Sequence, residues 1–126
     1  MPAPLQISQR STGSVVILEL SGQLVADEGD QEFRVYVAEI VRTGWTHILL
    51  DLARVTHMDS GGAGTLVSTY LHVVKRGGRL KLLSPNERVR RVFEITHLLS
   101  VFDIYEHEVE ALRSFEPEMF VTTLRL

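Results

Sequence analysis

The run MDSGGAG, residues 58–64, holds the residues of this chain best suited to chemistry: an acid, Asp59, a hydroxyl, Ser60, and three glycines, Gly61, Gly62 and Gly64. A serine beside an acid can serve as a nucleophile, as a helix cap or as a phosphate acceptor. The nucleophilic motifs fail one by one. A nucleophile elbow needs glycine two places before and two places after its serine; Gly62 is present, but Met58 stands in the first place. A phosphate-binding loop ends in Lys-Ser or Lys-Thr, and GGAGTL has no lysine. A dinucleotide fingerprint begun at Gly62 would need its third glycine at 67, where Val67 stands. His57 is near in sequence, yet side chains alternate along an extended segment, so it is a poor base for Ser60. No catalytic residue is expected, and the chain is not read as an enzyme.

Serine and aspartate are favoured caps, because their oxygens accept hydrogen bonds from the free N–H groups of a first turn. Capping accounts for the polar pair and leaves the glycines unexplained. Together the three cost the first turns ~2–3 kcal/mol relative to alanine. Glycines in such a place mark the close approach of another backbone or a bound group. A phosphate on Ser60 would sit at a helix N-terminus, where backbone amides and the dipole favour negative charge. Asp59 would repel it, which makes the modification a surface switch.

The remaining candidates have plainer readings. No two of the five histidines show the i, i+4 spacing of a helical metal site, and there is no cysteine. No metal and no cofactor are expected. Arg88, Arg90 and Arg91 suit a solvated helix face or a grip on a partner's acids. The acids in ADEGD, residues 26–30, suit a helix's first turn, at the same sheet end as Ser60 if the strands run parallel. A net charge of −3 argues against general nucleic-acid binding. No apolar run approaches the ~18 residues of a membrane span. The N-terminus lacks the basic and apolar segments of a secretory signal, so the cytoplasm is the expected compartment.

The elements that must position Ser60 follow from periodicity. LQISQR is a short strand, SVVILEL a β-branched one ended by SGQL. From Asp27 the pattern turns helical, with Phe33, Val37, Ile40 and Val41 on one face and Gly44 as the stop. WTHILLDL is a strand covered on both sides. The helix after the MDSGGAG junction carries Ala63, Leu66, Val67, Tyr70, Leu71 and Val74 as its inner stripe. RLKLLS is a strand. Ser84-Pro85-Asn86-Glu87 then reads as a capping box, with the serine as cap and proline at the first helical position. Val89, Val92 and Phe93 face inward. LLSVFDIY contains a short strand, and EHEVEALRSF a last helix with Val109, Leu112 and Phe115 inside, closed by Pro117. With 44% hydrophobic residues in 126, the chain can bury one core. The alternation predicts an α/β fold: a mixed, largely parallel sheet of four or five strands, its first pair a hairpin, flanked by about four helices. One domain spans 1–126, with its core over about 5–115 and a tail at 116–126.

From VVILELSGQL to the final helix, and above all at MDSGGAG, the sequence resembles the STAS domain of bacterial anti-sigma factor antagonists. The resemblance implies a sheet with helices on one side and a helix-terminal serine, Ser60 here, at a protein-docking surface. It implies binding to an anti-sigma factor that is itself a serine kinase, release on phosphorylation of Ser60, and reset by a serine phosphatase. Asp59, Ser60, Gly61, Gly62 and Gly64 would form the partner-binding surface. Two positions depart from the pattern: Gly61 stands where a second hydroxyl is usual, and Val25, in GQLV, where an acid is usual. Asp27 is the candidate replacement for that acid, and with it joins the expected partner-binding residues. The alternative is a non-switching STAS subunit of a larger signalling or lipid-transport assembly.

Overall fold

A computed structural model describes residues 3–116; Pro117 and the rest of the tail beyond it lie outside them. The order is β1 (Gln6–Thr12), β2 (Val15–Leu24), α1 (Asp30–Arg42), β3 (His47–Met58), α2 (Ser60–Lys75), β4 (Arg79–Leu83), α3 (Glu87–Ile95), β5 (Ile104–Tyr105) and α4 (Glu108–Ser114). β1 and β2 form an antiparallel hairpin, and β2, β3, β4 and β5 are parallel, in the spatial order β1-β2-β3-β4-β5. This is the expected mixed α/β sheet with four helices.

Each crossover moves one strand further in the same direction. A right-handed connection then always lands on the same face, and α1, α2 and α3 share one side. Beneath them lies the main core, with Leu18, Leu50 and Leu82 from successive strands and Phe33, Leu66 and Phe93 from the three helices. The chain crosses over after β5, and α4 covers the opposite face through Ala111 and Phe115 against Ile17, Leu49 and Leu83. The helices are therefore not all on one side. Lys81, on this second face and 6% exposed, ties α4 down by donating to the Ser114 carbonyl and hydroxyl, both at 2.9 Å. Its ammonium lies 4.8 Å from the Phe115 ring centre. Arg10 reaches from β1 to Glu108, and that hydrogen bond holds the Glu108 carboxyl below its usual range.

Several local expectations shift. β2 and β3 run on to Leu24 and Met58, because the β-branched Val55 and Thr56 continue the strand past LLDL. α1 starts at Asp30, leaving Asp27 in the preceding loop with φ of 65°. On α2 the buried residues are Gly62, Ala63, Thr65, Leu66, Thr69 and Val73, while Leu71 and Val74 are 50% and 44% exposed. Thr65 can go under because its hydroxyl donates to the Gly61 carbonyl at 3.1 Å. The cap of α3 is Asn86. Ser84 instead ends β4, donating its amide to Tyr105 and its hydroxyl to Glu106. On α4, Val109 faces out and Ala111 takes its inner place.

Candidate functional site

β3, the central strand, delivers the chain to the C-terminal end of the parallel strands and stops at Met58, where Asp59 takes extended backbone angles and caps α2. Its Oδ1 accepts from the Gly62 amide at 2.8 Å. The same carboxylate accepts from the Ala26 amide, at 3.1 and 3.2 Å to its two oxygens. One side chain thus satisfies a first-turn donor and clamps the β2–α1 loop beside the start of α2. Charge-assisted bonds of this kind are about twice as strong as neutral ones.

That clamp explains two of the glycines. A β-carbon on Gly62 would stand 2.0 Å from the Leu24 carbonyl oxygen, and one on Gly61 would stand 2.6 Å from the Ala26 β-carbon. The approaching backbone is the chain's own loop. Gly64 differs: nothing lies within 4 Å of where its β-carbon would be. Ser60 is exposed, as the first residue of α2.

The structure brings Asp59, Gly61 and Gly62 together against Leu24 and Ala26, with Ser60 exposed between them in sequence. Asp27 follows Ala26 and is exposed, but it borders a different depression, with Gln23, Glu28 and Glu32. Of the acids in ADEGD, only Asp30 lies in the first turn of α1. Val25, where the family pattern has an acid, bridges back to Glu28 through main-chain hydrogen bonds of 3.0 Å in both directions.

On the other flank of the junction lies a groove of about 610 Å³, walled by His57, Met58 and Asp59 on one side and Arg88, Arg91 and Ile95 of α3 on the other. Asn86 sets this second wall. Its Oδ1 accepts from Val89, and its Nδ2 donates to the Val55 carbonyl at 2.7 Å and the Ala53 carbonyl at 3.2 Å. The start of α3 is therefore fixed to the far half of β3, the half that ends in Asp59. Arg90 pairs with Glu106 away from the groove. Among the described residues, Arg88 and Arg91 form no ion pair. Ile95, 71% exposed, completes the same face. The groove was not read from the sequence; the signal for it was the i, i+3, i+7 spacing of Arg88, Arg91 and Ile95, which puts two cations and an apolar residue together on a helix's outer face. Among the described residues, no cluster of three metal-binding side chains occurs and no helix is long and apolar enough to cross a membrane.

A small sheet crossed by helices, with an exposed serine at an Asp-capped helix start where one parallel strand ends, defines a class. The STAS domain profile matches residues 6–111, and the chain belongs to the STAS domain family. Within it, the chain is 31% identical over 112 residues to the anti-sigma F factor antagonist of Paenibacillus polymyxa, covering 89% of this chain and 96% of that one. It also resembles the unphosphorylated structure of the anti-sigma factor antagonist SpoIIAA, with a TM-score of 0.70 and 26% identity over 90% of this chain and 99% of that one. The phosphorylated form of that Bacillus cell fate determinant matches with a TM-score of 0.66 and 25% identity, over 89% and 99%. By name these relatives are regulatory proteins.

Proposed function

We propose that this chain is an anti-sigma factor antagonist that acts in the cytoplasm and is switched by phosphorylation of Ser60. Unmodified, it binds an anti-sigma factor that is also a serine kinase, and so frees a sigma factor for transcription. Phosphorylation of Ser60 by that kinase ends the binding, and a serine phosphatase restores it. The catalytic groups belong to the partners. The observation that carries this reading is the exposure of Ser60 on a start of helix whose geometry Asp59 holds fixed. A kinase needs its acceptor hydroxyl accessible, and a docking partner gains by not having to order a loop. The kinship to a protein whose structure is known in both phosphorylated and unphosphorylated forms supports it.

The missing hydroxyl at 61 has a packing reason, since Ala26 occupies the space a side chain would need. That removes the departure as an argument for the fixed-subunit alternative. Supplied with ATP and its kinase, the protein should gain one phosphate, located at Ser60 by peptide mapping. Calorimetric titration should find Ser60→Ala binding the unactivated partner as the parent chain does. Ser60→Asp should bind at least about tenfold more weakly, because a full negative charge enters the interface. Equal affinity for Ser60→Asp and the parent would refute the switch.

A further inference from the structure

On the reading that Ser60 accepts phosphate, we propose that the phosphate is received in cis by Arg88 and Arg91, across the groove between the start of α2 and α3. The phosphorylated protein would then differ from the free one by more than an added charge. It would have used the cationic wall of its own docking groove.

Ser60 directly follows Asp59, which lines the groove facing Arg88 and Arg91. The two arginines are one turn apart on the same face of α3, both exposed, and among the described residues neither makes an ion pair. Two carboxylates border the groove, and one of them is already engaged. Asp59 directs its oxygens to the Ala26 and Gly62 amides, while Glu87 lies in the first turn of α3. His57 completes the polar groups facing the space. Ser60 shares its helical face with Gly64, and the space over Gly64 is open. No side chain at 64 stands over the helix face on which a phosphate would lie. A phosphoserine carries about −1.5 to −2 charges at pH 7 and three acceptor oxygens. Guanidinium groups match such a group in planar, paired hydrogen bonds. Both walls are fixed, one by Asp59 and the other by Asn86, so neither element has to be ordered when the phosphate arrives.

The consequence concerns how binding is lost. Arg88, Arg91 and Ile95 present two cations and one apolar side chain, a surface suited to a partner segment with acids around an apolar residue. A phosphate held across the groove covers that surface and neutralises it. The switch would then reach from Ser60 to α3 without any helix moving.

The test uses the full chain with phosphoserine placed at 60 during translation, so that no kinase is needed. The phosphate's second ionisation is followed by phosphorus NMR across pH 4–9 (roughly the span that brackets its pKa of about 6). In the parent chain it should lie below that of free phosphoserine. Arg88→Gln with Arg91→Gln should raise it by about half a pH unit or more, and each single change by part of that. Arg34, on the opposite flank of α2, donates to the Thr65 hydroxyl at 3.3 Å; Arg34→Gln is the control and should leave the ionisation in place. All three arginines are exposed, and unchanged amide spectra away from the site confirm folding. An identical ionisation in the parent and the double variant overturns the proposal. So does an equal shift from Arg34→Gln, which would reduce the effect to net charge. A chain that no kinase modifies would defeat the proposed function and leave this result standing, so the two failures are distinguishable.

Discussion

The first turns of α2 and α3 are built with the same device. Asp59 caps one and Asn86 the other, and each also grips a second element, the β2–α1 loop at Ala26 or the far half of β3 at Val55. Beyond the caps the two turns differ. α2 continues with Ser60, Gly61 and Gly62, bare of large side chains, whereas α3 is preceded by buried Pro85 and continues with Glu87, Arg88, Arg90 and Arg91. The first is close-packed beneath and open above; the second is a charged wall. A cap holds a helix start in place in both, and the next four residues decide what surface the start presents. The caps also differ in charge. Asp59 only accepts hydrogen bonds, while Asn86 must donate as well.

The comparison can be broken in order of expected effect. Gly62→Ala drives a β-carbon onto the Leu24 carbonyl, and urea denaturation should show a loss of about 3 kcal/mol. Next is the exchange of caps. Asn86→Asp sets a carboxylate against the Val55 and Ala53 carbonyls and should cost about 2 kcal/mol. Asp59→Asn keeps an accepting oxygen and should cost less than about 1 kcal/mol. Equal losses would mean the two caps are equivalent after all. Restoring the family hydroxyl by Gly61→Ser should destabilise by about 1.5 kcal/mol, and adding Ala26→Gly should recover most of it; additive losses would show that the Ala26 contact is not the reason for Gly61. Gly64→Ala, in open space, should stabilise by about 0.8 kcal/mol while weakening partner docking, as titration of the anti-sigma factor would show.

The smallest effect lies far from either helix start, under α4. Burial, with Arg79 and Lys81 near, holds the His47 imidazole below its usual range, and its ring lies 5.3 Å from that of Phe115. The folded state thus prefers neutral His47. Its contribution is complete above the unfolded value of about 6.5 and is lost as the pH falls below that. His47→Gln should flatten the dependence of the urea midpoint on pH between about 7.5 and 5.5.

Much of this was legible in the sequence, and the misses share a cause. The order of all nine elements follows from period and punctuation alone. Position on a helix is harder to read, because neighbouring faces both carry apolar residues. Leu71 and Val74 looked inward, yet Thr69 and Val73 hold those places, and a threonine under a helix cannot be told from one outside by its type. The α3 cap slipped from Ser84 to Asn86, whose amide accepts from Val89 and at the same time donates to carbonyls of a strand far off in sequence. Gly61 and Gly62 were recognisable as places of close approach. The approaching backbone was not, since it lies more than thirty residues earlier in the chain. The groove formed with α3 depends on two segments meeting in space, and no local pattern carries that.

Because the strands lie in the sheet in the order in which they are made, each new strand joins the edge its predecessor has just formed. The sheet can therefore grow vectorially during synthesis, with no strand waiting for a later one to be inserted beside it. The Leu24–Ala26 loop is synthesised before Asp59, so the residues that frame the start of α2 precede Ser60. Its facing wall, α3, comes after β4. A nascent chain would display Ser60 before Arg88 and Arg91, and the newest copies of the protein would pass through a state with the residues of the α2 start made and the groove still unmade.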